Sequence, residues 1–229
     1  MTSNYDLILF WECYIYLMPG KFVKTKAIVL KRTNYKEADK IVTLYTLELG
    51  KITTLAKGIR KLSSKKRSHL ELFNYLNIYL VEGKNWYIAT QAESIHLFPK
   101  IKQNYEITQW GYYMLEIFEK MTNEMEQNEN LFKLLLKSLI LLEKHQKPDI
   151  INTFNLHLIK IQGFNPEESS FSPASRDYMK QILVGKYENI LKMETPEAKV
   201  QKYHEILKKL TEEILERKIK TSLDLDFKN

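Results

Sequence analysis

Residues 46–67 read TLELGKITTLAKGIRKLSSKKR. The stretch begins as the end of one strand and turns at Gly50, where a tight hairpin needs positive φ. It runs back as a second strand over residues 51–57, with Ile52, Thr54 and Ala56 on one face and Thr53 and Leu55 on the other. It then leaves the sheet at Gly58 in a run of cations. Between residues 51 and 70 there are seven of them, Lys51, Lys57, Arg60, Lys61, Lys65, Lys66 and Arg67, and no Asp or Glu. Like charges repel, so a fold that keeps them together calls for a partner, and a polyanion is the usual one. The competing reading is a solvated loop that carries charge for solubility.

Working outward, residues 24–32 (KTKAIVLKR) and 41–47 (IVTLYTL) are β-branched and apolar, as strands are. After the basic loop, residues 72–81 (LFNYLNIYLV) and 86–92 (WYIATQA) form a second hairpin about Gly83. Five short strands, with the longest connection after the third, predict a small closed barrel of the oligonucleotide-binding (OB) plan. Beyond residue 95 the period changes. Ile107, Trp110, Met114, Ile117, Phe118 and Met121 recur at helical spacing, as do Leu131, Leu134, Leu135, Ser138 and Leu142, and then Phe154, Leu158 and Ile161. The run LFKLLLKSLILL (residues 131–142) is apolar nearly all round and predicts the central helix of a bundle. Gly163 and Pro166 end the third helix, residues 169–173 read as a loop, 177–184 as a short helix, and Thr195-Pro196 opens a long one. The fold class is therefore α+β: residues 21–98 as a five-stranded OB barrel, residues 99–229 as an all-α helical domain. Close packing of the two halves is expected, since no flexible linker separates them.

The chain has 229 residues, a formal net charge of +7, 44% hydrophobic residues and a single cysteine, Cys13. The charge favours an anionic partner, and the apolar content permits a packed core. One cysteine excludes an internal disulfide and a cysteine-built zinc site, and fits a reducing cytosol. No apolar run reaches the ~20 residues of a spanning helix. Residues 1–20 form an N-terminal extension. Either residues 1–17 are a translated leader ahead of a natural start at Met18, or they are an apolar arm that docks on a partner or on the core.

Catalytic motifs are missing from the pattern. There is no Walker loop and no strand followed by GxGxxG. His69, His96, His145, His157 and His204 are scattered, and each reads as a surface or core residue. Glu37 and Asp39 read as turn-capping carboxylates. Ser63-Ser64 has no nearby base. The expectation is no enzyme, no cofactor and no metal. A binding reading has more support. Tyr45, Tyr75, Tyr79, Trp86 and Tyr87 lie near the basic run, and cationic grooves with aromatic faces bind single-stranded nucleic acid.

Several pieces together resemble the RecO family of bacterial recombination mediators. These are Tyr35-Lys36-Glu37-Ala38-Asp39, Thr46, Gly50-Lys51, AKGIRK at residues 56–61, Ser64, Arg67, Leu70 and Phe73. Further on, MLE at 114–116, NENLFKLLLKSL at 128–139 and FNLHLIKIQGFNP at 154–166 fit as well. The resemblance implies a non-enzymatic DNA-binding protein of DNA repair and recombination in the bacterial cytoplasm, associated with the nucleoid. Such a protein binds single- and double-stranded DNA and anneals complementary strands. With RecR, and RecF in some bacteria, it helps load RecA onto single strands coated by the single-strand binding protein SSB, whose acidic, apolar C-terminal tail it engages. Carried over to this sequence, the DNA contacts are Lys51, Lys57, Arg60, Lys61 and Arg67. Lys65 and Lys66 share the loop and match in charge, and Gly50 and Gly58 are geometric. An SSB tail needs a basic rim about an apolar pocket, and the helical half offers Lys160, Lys202, Lys208, Lys209, Arg217 and Lys218. Many members carry a four-cysteine zinc module after the GFxP segment. Here EESSFSPASRDYM follows Pro166, so no zinc is expected, and the loop is expected to hold itself through Phe171 and Tyr178.

Two rival readings remain. A general single-stranded nucleic-acid-binding OB protein without a recombination role explains the basic loop but leaves the helical half without a purpose. A membrane-surface protein would use residues 1–17 and the positive charge on anionic lipid.

Overall fold

A computed structural model describes residues 21–165, 172–185, 191–192 and 195–221. The expectations for residues 1–20 and for Phe171 lie outside the described residues.

Five strands close into a barrel: β1 (Phe22–Tyr35), β2 (Asp39–Thr46), β3 (Gly50–Ala56), β4 (Tyr75–Val81) and β5 (Tyr87–His96), in the order β1-β2-β3-β5-β4. β3 and β5 pair in parallel and the other pairs are antiparallel, with β1 closing on β4. This is the OB plan expected from the strand pattern. β1 is longer than the apolar run that announces it, because a bulge between Val29 and Lys31 lets it bend and pair with both neighbours.

β1 also explains the join between the halves. Ala27 and Val29 point into the barrel with Val42, Leu44, Ile52, Leu76 and Ile78. Ile28 and Leu30, on the other face, enter a second core with Tyr45, Phe73 and the helices. A strand buried on both faces reads as an unbroken apolar run, and residues 27–30 are one.

The helices are α1 (Pro99–Gln103), α2 (Tyr105–Met121), α3 (Glu129–His145), α4 (Asp149–Ile161), α5 (Pro173–Val184) and α6 (Glu197–Leu215). None of the described helices is long and apolar enough to cross a membrane. Asn104 and Asn128 cap α2 and α3 by accepting from backbone N–H groups of the first turn. α5 begins earlier than its apolar spacing implies, because Ser172 caps it and Pro173 supplies the first turn.

One expectation is corrected. The central helix is α4, not the leucine-rich α3, which leaves Ile140 46% exposed. α4 buries ten of its 13 residues, Asn152, Thr153 and Asn155 among them. Their side-chain donors are satisfied inside the bundle, while the Asn152 Oδ1 is buried without a partner. Asn152 donates to the Val200 carbonyl at 3.1 Å. Asn155 donates to the Tyr113 hydroxyl at 3.1 Å and accepts from Thr211 at 2.9 Å. Tyr178 stacks on Tyr203 with ring centroids 3.8 Å apart, securing α5 against α6.

Candidate nucleic-acid interface

Gly50 takes φ +68, as its hairpin requires, and a Cβ there would lie 2.1 Å from the Glu126 carbonyl oxygen. The β2–β3 turn is thus pressed against the connection between α2 and α3. Lys51, the next residue, is buried. Its ammonium donates to the Glu119 carbonyl at 2.6 Å and to the Thr122 carbonyl, both at the end of α2. The Lys51 carbonyl accepts from Met125 N at 2.8 Å. Burial lowers the Lys51 pKa, and the nearby carboxylates of Glu119 and Glu124 oppose the shift. The structure therefore sets Lys51 apart from the other six cations, as a clamp between barrel and helices.

Those six lie on the β3–β4 connection. Gly58, at φ +65, breaks away from the sheet, and its N–H donates to the Asp39 carboxylate at 2.7 Å. Asp39 is thus a turn carboxylate that ties the loop to the β1–β2 turn. Arg60 N donates to the Ala38 carbonyl at 2.9 Å, and the Arg60 guanidinium to the Lys36 carbonyl at 3.2 Å. Successive turns follow, from Lys61 N to Gly58 O, Ser64 N to Lys61 O and Arg67 N to Ser64 O. Ile59 and Leu70 anchor the two ends in the barrel core.

The far side of the loop is stitched to β5. Lys66 donates to the Ala89 carbonyl at 2.7 Å, and His69 Nδ1 accepts from Ser94 N at 3.2 Å. Between loop and sheet lies an open groove of about 630 Å³ whose cations are Lys57, Lys61, Lys65 and Lys66, against one carboxylate, Glu93. Burial lowers the Lys66 pKa, with Asp39 acting against it. Tyr79 forms part of the wall, half-buried, with the Lys24 ammonium 5.3 Å from its ring centre.

The five aromatic candidates separate. Tyr45 is fully buried, edge-on to Phe118 at 4.7 Å, and burial pushes its hydroxyl pKa up to about 12. Tyr75 packs on Phe132 at 6.1 Å. Trp86 and Tyr87 line a different groove with Thr53, Glu82 and Glu124, and Trp86 meets Tyr35 edge-on at 5.5 Å. Tyr79 alone of the five reaches the cationic groove.

Sequence reasoning also missed a set of cations from elsewhere in the chain. Arg32 on β1 pairs with Glu71, and Lys102 on α1 donates to Asn74 Oδ1. Asn74 in turn donates to the Ser68 and His69 carbonyls at the loop's end. Burial lowers the Arg32 pKa, and Arg67 adds to the shift. No spacing rule could find them, because they meet the loop only through the barrel's register. Among the described residues no group of three or more His, Cys, Asp or Glu could hold a metal ion.

An OB barrel fused to a helical domain through a shared core, with a cationic groove beside the β3–β4 connection, defines the class of protein. Residues 18–98 match the family model described as recombination protein O N terminal, and residues 102–170 the one described as recombination protein O C terminal. The chain belongs to the RecO family. Its curated relatives include proteins named DNA repair protein RecO. That of Dehalococcoides mccartyi is 34% identical over 145 residues, covering 63% of this chain and 57% of the relative. That of Roseiflexus sp. is 31% identical over 151 residues, covering 66% and 53%. That of Caldicellulosiruptor saccharolyticus is 33% identical over 148 residues, covering 64% and 61%. The chain thus spans rather more than half the length of these relatives.

Proposed function

We propose that the chain is a non-enzymatic, DNA-binding recombination mediator of DNA repair, acting in the cytoplasm at the nucleoid. The observation that carries the reading is the groove lined by Lys57, Lys61, Lys65 and Lys66 with Tyr79 in its wall. Each lysine that neutralises a phosphate releases counterions, and the phenol ring offers a base a stacking surface without reading its identity. Arg60 and Arg67 stand on the same loop but outside the lining of this groove. Lys51 serves the fold in this reading.

Such a groove binds single- and double-stranded DNA through the backbone, the requirement for annealing complementary strands. RecR, SSB and, in some bacteria, RecF are the partners, and RecA is loaded as the outcome. An SSB tail finds a matching chemistry where β5 meets α3. Tyr75, Ile95, Phe98, Leu136 and Ile140 line an apolar groove there, flanked by Lys100 and Lys144, with its one carboxylate, Glu143, engaged by His96 at 2.5 Å. None of the helical cations singled out from the sequence lines it.

The test is annealing of two complementary fluorescent oligonucleotides. A K57Q/K61Q/K65Q/K66Q variant is expected to stay folded, with a small drop in melting temperature from the lost Lys66–Ala89 contact, and to lose most of the acceleration at moderate salt. Unchanged annealing by that folded variant would overturn the reading. A K100E/K144E variant should lose binding to an SSB-tail peptide and keep binding DNA.

A further inference from the structure

The cations of the basic loop do not share one face. Lys57, Lys61, Lys65 and Lys66 line the groove over β4 and β5. Arg60 turns the other way, onto the carbonyl of Lys36 in the β1–β2 turn. That turn leads directly into Lys40, which pairs with Asn34 across the β1–β2 hairpin. Arg32 lies one alternation further along β1 on the same side, held by Glu71 from the chain that follows the loop. Burial and then Arg67 lower the Arg32 pKa, and burial followed by Arg32, Arg60 and Arg67 lowers that of Lys40. Lys102 closes the patch from α1 through Asn74. Tyr112, 38% exposed, lies on the same flank, stacked on Phe73 at 5.3 Å. The buried Nε of Arg32 has no hydrogen-bond acceptor.

This second face gathers cations from β1, β2, the loop and α1, and Glu71 is committed to Arg32. Repulsion among such groups is a standing cost to the fold, which an arriving phosphate chain would relieve. We propose that this face takes the phosphates of a second nucleic-acid strand, so that the β3–β4 loop is a partition with one strand on each side. The proposal rests on the nucleic-acid reading of the groove. It gives a reason for two faces: strands screened by one wall of cations approach each other with their mutual repulsion reduced.

The experiment uses two oligothymidylate 12-mers, one bearing a donor fluorophore and one an acceptor. They cannot pair, so energy transfer reports binding to the protein alone. The wild type is expected to take two strands per chain and to show transfer. K40Q/R67Q changes two side chains outside the groove. It should keep the tighter strand within about twofold and lose the weaker strand and the transfer. Its melting temperature should hold or rise, since like charges have been removed. K40R/R67K should restore both signals. The salt slope for the weaker strand should flatten by about 1.4 in K40Q/R67Q if each cation meets one phosphate of single-stranded DNA. Full transfer and two strands in K40Q/R67Q would overturn the second face and leave the groove standing. Loss of both strands on changing the four groove lysines would mean a single site and would also overturn it. Loss of both strands in K40Q/R67Q, with no effect of the groove variant, would overturn the groove reading itself.

Discussion

Lys51 and Lys66 lie 15 positions apart in the same carboxylate-free run, and each gives its ammonium to backbone carbonyls. Their surroundings make them different residues. Lys51 is 8% exposed and bridges β3 to the end of α2, so removing it leaves helix-terminal carbonyls without a donor. Lys66 ties a loop to the barrel edge and stays on the wall of an open groove. The difference shows that a cation's role here follows from which element packs over it, not from the sign or density of charge around it. The helices cover the start of β3 and leave its exit open.

Several substitutions would break or sharpen this contrast. The largest effect is expected on the covered side. Tyr45→Ala removes a ring locked between barrel and helices and should cost about 3–5 kcal/mol in urea denaturation, as loss of a buried aromatic does. A loss under about 1 kcal/mol would mean the covered face is not a core. Lys51→Met keeps the aliphatic stem and deletes the ammonium. Its expected cost is about 2 kcal/mol by the same method, because buried carbonyls lose a charged donor. No loss of stability would dissolve the difference between the two lysines.

A smaller effect is expected from Lys102, whose pKa falls to about 8 through burial first and Arg32 second, with Glu143 opposing. The folded protein then releases this proton at lower pH than the unfolded chain does. Between about pH 8 and the ordinary lysine range the unfolded state binds more protons, so this group makes stability rise with pH. Comparing wild type with K102M between about pH 7.5 and 9.5 isolates it. The wild type should gain stability relative to the variant, and parallel curves would remove Lys102 from the cationic cluster.

Much of this architecture is legible in the sequence. Gly50 and Gly83 mark hairpins, the apolar runs mark strands, and the change to helical spacing after residue 95 marks the second half. What the sequence could not show depends on contacts distant along the chain. Tyr45 and Tyr79 are both strand tyrosines near the basic run, but only the packing of α2 and α3 over β2 sends one into the core. α4 looks less central than α3 because Asn152, Thr153 and Asn155 count as polar, though their partners Val200, Tyr113, Asp149 and Thr211 allow them to be buried. Arg32, Lys40 and Lys102 join the loop only once the barrel has closed.

The most direct test of the central claim is fluorescence-anisotropy binding of a single-stranded oligonucleotide across a salt series. Wild type, Lys51→Met and the groove variant K57Q/K61Q/K65Q/K66Q would be compared, each checked for melting temperature. Lys51→Met should melt earlier and keep the wild-type slope. The groove variant should melt closer to wild type than Lys51→Met does, with a slope flattened by about 0.7 for every phosphate it no longer neutralises. A flattened slope in Lys51→Met, or an unchanged one in the folded groove variant, would contradict the central claim.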